Sequence, residues 1–501
     1  MKEWTTEERY RPLLESDKEM LEKMHEEISQ SVWRTDFHVQ SVTGLMSDTN
    51  GFSYWNEKWH LFFQWFAYGA VHGMKHWYHV ESEDLVHWQN KGLALQPTRY
   101  EDNKGCFSGS GFPTKDCLYL AYTGNSRDEL YRRIPYQLLA KLDKDGKITK
   151  QQMPIILPAP GYTEHQRDPK LFFHEGKYYI LLGAQNDAGK GTFILYRSDH
   201  IETGWELLGE LKVRGYDDFG FMVECPDIER IGDDWMLLFS PQGLQPQGDL
   251  YRTKFNNTYF IGKMDFDNLE FIPNGPFVEL DRGFDFYAAQ CANQSLYPNT
   301  AVLEAWFGVS EYNYPICDEQ GWAGLQTLAR ELTIKDGKLL QRPCRAAESI
   351  KGELLFHVQA GEILTDNMLG LMPSACVIKI EDPYNEGIKF NLFARSERKG
   401  FEIFYDKKAS TLTLDRSEMT NRFNQDYGED RNIYLPNGLK SLEIFVDHST
   451  IEIFINDGEF VASSRIFPEI DENLIRMGGK DVNVYIWIAN KTVVDDFVIW
   501  P

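Results

Sequence analysis

The chain has no apolar run of the roughly 18 residues that a membrane-spanning helix requires. Its opening residues, Met1-Lys2-Glu3-Trp4-Thr5-Thr6-Glu7-Glu8, lack the apolar stretch of about 7–15 residues that marks a secretory signal. Positive charge is scarce. Lys and Arg number 52 against 76 Asp and Glu, a net charge of −24 over 501 residues. Nucleic acid and anionic membranes are held by clustered Lys and Arg, so neither is an expected partner. The seven cysteines, at 106, 117, 225, 291, 317, 344 and 376, are odd in number, widely spaced and form no Cys-x-x-Cys pair. That argues against a disulfide framework or a structural zinc site and fits a reducing, cytoplasmic compartment. Neither a Walker-type phosphate loop nor a dinucleotide fingerprint occurs, so no cofactor is expected.

Aromatic residues are plentiful: 13 Trp, 25 Tyr and 32 Phe. They suit β-strands and surfaces on which sugars stack. One helix is expected from Ser16 to about Ser31, opened by a capping box in Ser16-Asp17-Lys18-Glu19 and spaced by Leu21, Met24 and Ile28. After Trp33 the pattern changes to short strands separated by Gly, Asn and Asp turns.

Five units then recur about every 55–65 residues, each a polar knot, an apolar strand, a tight turn and a second apolar strand. The knots are Asp48-Thr49-Asn50-Gly51, Ser108-Gly109-Ser110-Gly111, Arg167-Asp168-Pro169-Lys170, Glu224-Cys225-Pro226-Asp227 and Gln290-Cys291-Ala292-Asn293. In the fifth unit the strands are expected at Ser295-Leu296-Tyr297 and Val302–Trp306. Such a period predicts an all-β, five-bladed propeller whose knots open the innermost strands and meet at one end of the central channel. Past Gln341-Arg342-Pro343 the repeat stops. Alternation in Ser441–Asp447 and Ile451–Ile455, a hairpin turn at Asp457-Gly458 and a final strand over Asp495–Trp500 predict a β-sandwich. The expected organisation is a helical extension over 1–32, a propeller over 33–341, a linker over 342–352 and a sandwich over 353–501. The sandwich could serve as scaffold or as the contact of a homodimer.

Three knots carry a carboxylate: Asp48, Asp168 and Glu224. One such Asp is ordinarily a turn or cap residue. Three at equivalent repeat positions point to a cluster, and hydrolysis of a glycosidic bond uses a carboxylate nucleophile beside a carboxylic acid. His72, His76 and His79 have spacing that would suit a metal on a helix, but the segment does not read as helical and the chemistry needs no metal.

The same stretches resemble glycoside hydrolase family 32, the family of invertases, sucrose-6-phosphate hydrolases, inulinases and levanases. The resemblance lies in Gly44–Gly51, Phe107-Ser108-Gly109-Ser110, Arg167-Asp168-Pro169 and Glu224-Cys225-Pro226. It extends through Lys75–His79, Asp84–Trp88, Gly283–Gln290, Arg330-Glu331-Leu332 and the C-terminal Phe445–Phe454. It implies a five-bladed propeller followed by a sandwich, with Asp48 as nucleophile, Glu224 as general acid/base and Asp168 as the residue holding fructosyl hydroxyls. It implies a retaining reaction on β-fructofuranosides, with the two reacting carboxyls about 5–5.5 Å apart. Ser47, Asn50, Gln64, His72, Phe107, Ser108, Arg167, Tyr287 and Trp306 fall at positions that would line the sugar pocket. Cys225, which follows the acid/base, has no basic partner that would make it a nucleophile.

The chain departs from the family pattern at Ser47, where Asn is usual, at Thr49 and Ala329, where Pro is usual, and at His72, where Trp is usual. A Ser hydroxyl reaches less far than an Asn amide and offers different bonds, so altered substrate preference is expected. The leading reading is hydrolysis of sucrose or sucrose 6-phosphate. Short fructans are a second substrate class, and a sugar-binding propeller without catalysis is a third reading. Lys75 and Arg99 are the basic residues near enough in sequence to suggest a phosphate contact.

Overall fold

The computed structural model describes residues 3–293, 296–359, 363–382, 387–480 and 482–500. The apolar strands pair as antiparallel hairpins. Gly44–Trp55 and Lys58–Phe66 turn through Asn56-Glu57, both at positive φ, the conformation whose twist suits a two-residue hairpin. Glu175-Gly176 repeats this turn between Tyr162–His174 and Lys177–Asn186.

Five sheets result, with Gly44–Trp55, Cys106–Pro113, Tyr162–His174, Met222–Ile231 and Tyr287–Cys291 as innermost strands. Each blade buries both faces against its neighbours. Leu118 and Leu120 pack with Phe62 and Trp77 of the first blade, while Ala121 and Leu139 pack with Leu171 and Ile180 of the third. This is the period-2 alternation of a strand buried on both sides. The ring closes where Trp322–Ala323, a short strand of the fifth unit, pairs in parallel with Gly44–Leu45. The innermost strand of the fifth blade is Tyr287–Cys291 rather than Ser295–Tyr297. Gln294 and Ser295 lie outside the described residues, and Leu296-Tyr297 form a bend. The side chain of Asn293 instead donates to the backbone carbonyl of Leu171, 2.7 Å away.

Within the channel Lys170 is buried between Asp227 (2.8 Å), Glu229 (2.7 Å) and the Cys291 carbonyl (2.9 Å). One cation thus joins the inner strands of the third, fourth and fifth blades.

The C-terminal part, from Lys351 onward, is a sandwich of two six-stranded sheets. Leu442, Ile444, Ile451 and Ile453 face Phe390, Leu392, Ile403 and Leu412 of the opposite sheet. The alternate residues Phe445 and Phe454 point the other way, into the core shared with the first blade. The sheet is therefore buried on both faces and welds the sandwich to the propeller.

Two local expectations are corrected. The helix runs Lys18–Ile28 with Leu21 and Ile28 buried, but no capping box forms at Ser16. The chain enters through the 3₁₀ turn Glu15–Asp17, and the Asp17 carboxylate accepts from the Leu14 backbone, Arg11 and Tyr68 instead. A capping box does occur earlier, between Thr5 and Glu8. Asp495–Trp500 is not a sandwich strand. It is a strap across the first blade, where the Val498 carbonyl accepts from the Tyr78 hydroxyl at 2.6 Å and the Ile499 carbonyl accepts from the Leu93 backbone at 2.7 Å. Among the described residues no helix is long and apolar enough to cross a membrane.

Candidate active site

Every inner strand breaks register with its neighbour at one level of the channel. The breaks fall between Met46 and Thr49, Cys106 and Gly109, Arg167 and Lys170, Glu224 and Asp227, and Tyr287 and Gln290. Each holds one residue more than its partner strand, which is a β-bulge, and a bulge re-aims the side chains at its position. Asp168, Cys225 and Ala288 adopt positive φ at their bulges, at 65°, 44° and 51°. Left-handed backbone at non-glycine residues costs energy that the surrounding sheets must supply. The bulges are what turn Asp48, Asp168 and Glu224 toward one another.

Asp48 Oδ2 accepts from Ser108 Oγ (2.5 Å) and Gln64 Nε2 (3.2 Å), which also bond each other (2.6 Å). Burial raises the Asp48 pKa above its ordinary value. The Ser108 bond opposes the rise, the Glu224 charge adds to it, and the Lys75 charge opposes it. Asn50 braces the backbone behind: its amide donates to the Asp48 carbonyl (2.9 Å) and accepts from Gly109 (3.0 Å). Ser47 is fully buried, and its hydroxyl accepts from Lys75 Nζ at 3.0 Å. Its carbonyl accepts from Gln326, which in turn accepts from Thr49 Oγ1. Ser47, Thr49 and Asn50 thus form the support of Asp48. Lys75, buried beside Asp48, is pushed down to about 8 by desolvation, which the Asp48 charge resists.

Glu224 is gripped on both oxygens. Oε1 accepts from Arg167 Nε (3.0 Å) and Nη2 (2.6 Å), and Oε2 accepts from Tyr287 (2.5 Å) and Gln242 (2.7 Å). Arg167 is itself steadied by His165, whose Nδ1 accepts from Arg167 (3.0 Å) and Arg133 (3.3 Å). Asp168 Oδ2 accepts from the Cys225 backbone N–H (2.9 Å) and lies 4.0 Å from Arg167 Nε. Burial pushes Asp168 up to about 7; Arg167 opposes, and the charges of Glu224 and Asp48 add to the rise. Burial and the same carboxylates push the Cys225 thiol well above its usual range, so it stays protonated. Asp48 and Asp168 thus both hold a proton more tightly than an exposed Asp does.

A buried acid with a raised pKa binds more protons in the folded than in the unfolded state, so it weakens folding as pH climbs from about 3.8 to about 7. Asp168→Asn keeps an acceptor for the Cys225 N–H and removes that titration. The variant is expected to gain melting temperature over wild type at pH 8, with a smaller gain at pH 4.5. An equal difference at both pH values would refute the assignment.

Phe107 is half-buried, with Arg133 5.8 Å from its ring, and its carbonyl accepts from Trp77 Nε1. Trp306 is buried edge-on to Tyr287 (centroids 6.4 Å apart) and to His72 (6.2 Å). His72 is exposed in a recess that Trp306 also lines. Arg99 donates to Glu101 (2.7 Å) and to the Gln151 carbonyl (2.5 Å). His79 shares a hydrogen bond with His60 (3.0 Å) near Glu81, a trio with metal-like spacing on the outer strands of the first blade. Lys58 and Lys91 already contact Glu81 there. Sequence reasoning missed Gln242, which ends the apolar strand Asp234–Gln242 much as Gln64 follows Leu61-Phe62-Phe63. That shared pattern was the available signal.

A channel mouth with three carboxylates, a guanidinium and a ring of amide and hydroxyl donors is the equipment of a glycosidase. The comparisons agree. Residues 38–343 match the Glycosyl hydrolases family 32 N-terminal domain and residues 375–501 the Glycosyl hydrolases family 32 C terminal, so this chain belongs to glycoside hydrolase family 32 and is a glycoside hydrolase. It is 37% identical to a sucrose-6-phosphate hydrolase of Staphylococcus xylosus, over 97% of this chain and 98% of that one. A sucrose-6-phosphate hydrolase of Bacillus subtilis is 35% identical, over 94% of this chain and 98% of that one. Among solved structures, the sucrose-6-phosphate hydrolase from Lactobacillus gasseri superposes with a TM-score of 0.91 at 35% identity, covering 98% of this chain and 100% of that one. A Bombyx mori family 32 β-fructofuranosidase solved with sucrose gives 0.83 at 29% identity, covering 96% and 100%.

Proposed function

We propose that this enzyme releases fructose from sucrose or sucrose 6-phosphate by a retaining mechanism. Asp48 attacks the anomeric carbon of the β-fructofuranosyl unit while Glu224 protonates the departing oxygen. The covalent fructosyl-enzyme is then opened by water that Glu224 deprotonates. Asp168 holds fructosyl hydroxyls, and Gln64 and Ser108 orient Asp48. Arg167, Tyr287 and Gln242 fix Glu224. The carrying observation is the matched pair of grips, hydroxyl and amide donors on Asp48 and guanidinium, phenol and amide on Glu224, raised by bulges on two different blades.

Fructose release from sucrose, sucrose 6-phosphate, kestose and inulin tests the reading. The two disaccharides are expected to be cleaved with kcat/KM at least tenfold above either oligosaccharide. Preference for kestose or inulin would move the enzyme to the fructan hydrolases, and sugar binding without turnover would make it a lectin-like propeller.

A further inference from the structure

Beside Trp306, whose ring meets Tyr287 of the Glu224 grip edge-on, lies a recess of about 550 Å³. That is room for a sugar-sized group. One wall comes from the N-terminal segment, which carries Trp4 and Arg9. The segment is seated firmly. The Arg9 carbonyl accepts from the Met74 backbone at 2.7 Å. A Cβ at Gly73 would stand 2.6 Å from that carbonyl, and one at Gly69 would stand 2.3 Å from the Trp4 ring. Both glycines are thus what allow the N-terminal segment to lie against the 69–74 loop.

The recess offers a guanidinium and a ring N–H as hydrogen-bond donors. The Arg9 side chain faces it from the end of the helix Thr6–Arg9, half-buried and without a carboxylate partner among the described residues. His72 stands in the same wall. The positive charges of Lys75 and Arg9 nearby act against a proton on its imidazole, which offers a neutral N–H to the recess. Of the two acidic residues in the lining, Glu311 is paired with Lys254 (2.6 Å) and Glu3 is exposed. Lys75, three residues after His72 and near enough for its charge to act on that imidazole, is buried behind the recess and bonds Ser47 beside Asp48.

We infer that Arg9 and His72 form the subsite for a phosphate monoester on the leaving-group sugar, so that the N-terminal segment sets the preference for phosphorylated substrate. This rests on the reading of the enzyme as a β-fructosidase. A guanidinium meets phosphate oxygens in a forked, charge-assisted pair, and a neutral imidazole adds a donor without requiring a second buried cation.

The test compares wild type with Arg9→Gln and Arg9→Lys. For Arg9→Gln the ratio of kcat/KM on sucrose 6-phosphate to that on sucrose is expected to fall about 10- to 100-fold, carried by KM. Arg9→Lys should recover part of it. Inhibition by glucose 6-phosphate should weaken in parallel, and inhibition by inorganic phosphate at least as much, because Arg9 meets the group they share. A ratio that does not move while both substrates are cleaved overturns the subsite and leaves the fructosidase reading intact. If wild type cleaves neither substrate, that reading falls, and calorimetric titration with glucose 6-phosphate still decides the subsite: binding lost in Arg9→Gln upholds it, and no binding by wild type overturns it.

Discussion

Asp48→Ala is expected to lower kcat for fructose release by about 10⁴-fold or more, the scale seen when a nucleophile is removed from a constellation that acts as a unit. The fold should survive. Ser108 and Gln64, which donate to Asp48, also bond each other at 2.6 Å, so neither is left without a partner. Asn50 and Gln326 hold the neighbouring backbone through carbonyls that the substitution keeps. Glu224→Gln should cost less, about 10²–10⁴-fold, and the loss should depend on the leaving group. Gln still accepts from Arg167 but cannot deliver a proton. A fructoside with a nitrophenol leaving group needs little protonation and should recover much of the first step. Such a substrate should then accumulate fructosyl-enzyme, because water attack still lacks its base, and added azide should speed the release. An Asp48→Ala enzyme within tenfold of wild type, or a Glu224→Gln enzyme equally slow on both leaving groups, would refute the division of roles.

The three carboxylates could be read from the sequence because each stands at the same point of a repeating unit, and a repeat that closes radially superimposes those points. The geometry that makes them converge could not. Bulges at Ser47-Asp48, Asp168-Pro169 and Cys225-Pro226 leave no fixed residue pattern, and positive φ at Cys225 runs against the local preference of that residue, while Asp168, of a type that tolerates it, gives no local sign of it. Local rules fail where the surrounding blades impose the conformation, which is also where the chemistry sits. The bond from Lys75 to the Ser47 hydroxyl spans 28 residues of sequence, so the local pattern gave no sign of it either.

Other misreadings arose where a pattern had a stronger competitor. Ser16 begins a valid capping box, yet Asp17 has better partners in Arg11, Tyr68 and the Leu14 backbone, so the chain turns one residue later. Asp495–Trp500 alternates like a strand. Its carbonyls are taken by Tyr78 and by the outer strand of the first blade, and the sandwich sheets are complete without it. The Arg9 wall had no sequence signal at all, because it depends on a packing between the N-terminal segment and a loop some 60 residues away that only the glycines at 69 and 73 permit.

Arg330→Met is expected to destabilise the protein by about 3–5 kcal/mol, because it strands buried carboxylates. Arg330 is wholly buried where the fifth blade meets the sandwich. Its Nη2 donates to Asp281 (2.8 Å), Glu452 (3.0 Å) and Ser463 (2.9 Å), and its Nη1 to Gln341 (3.2 Å). Glu452 belongs to the sandwich and is reached from the other side by His38 Nε2 at 3.1 Å, whose Nδ1 meets Asp447 at 2.8 Å. Burial alone would depress His38, but the bonds to Asp447 and Glu452 outweigh it and carry the imidazole up to about 9. Two cations therefore clamp the sandwich carboxylates, while nearby Glu304, pushed far up by burial and by the Glu452 charge, stays neutral. Arg330→Lys should rescue little, since an ammonium cannot span the same fork of acceptors. The clamp also has a pH signature. A His raised from 6.5 to about 9 gives its full stabilisation below about pH 6.5 and loses it as pH rises through 9. Calorimetry of wild type, Arg330→Met and His38→Gln between pH 6 and pH 9.5 tests both parts. Wild type should lose stability across that range more steeply than His38→Gln, and Arg330→Met should melt well below both at pH 6. A change of less than 1 kcal/mol in Arg330→Met, or parallel pH profiles for wild type and His38→Gln, would mean that apolar packing through Phe445 and Phe454 alone joins the two halves.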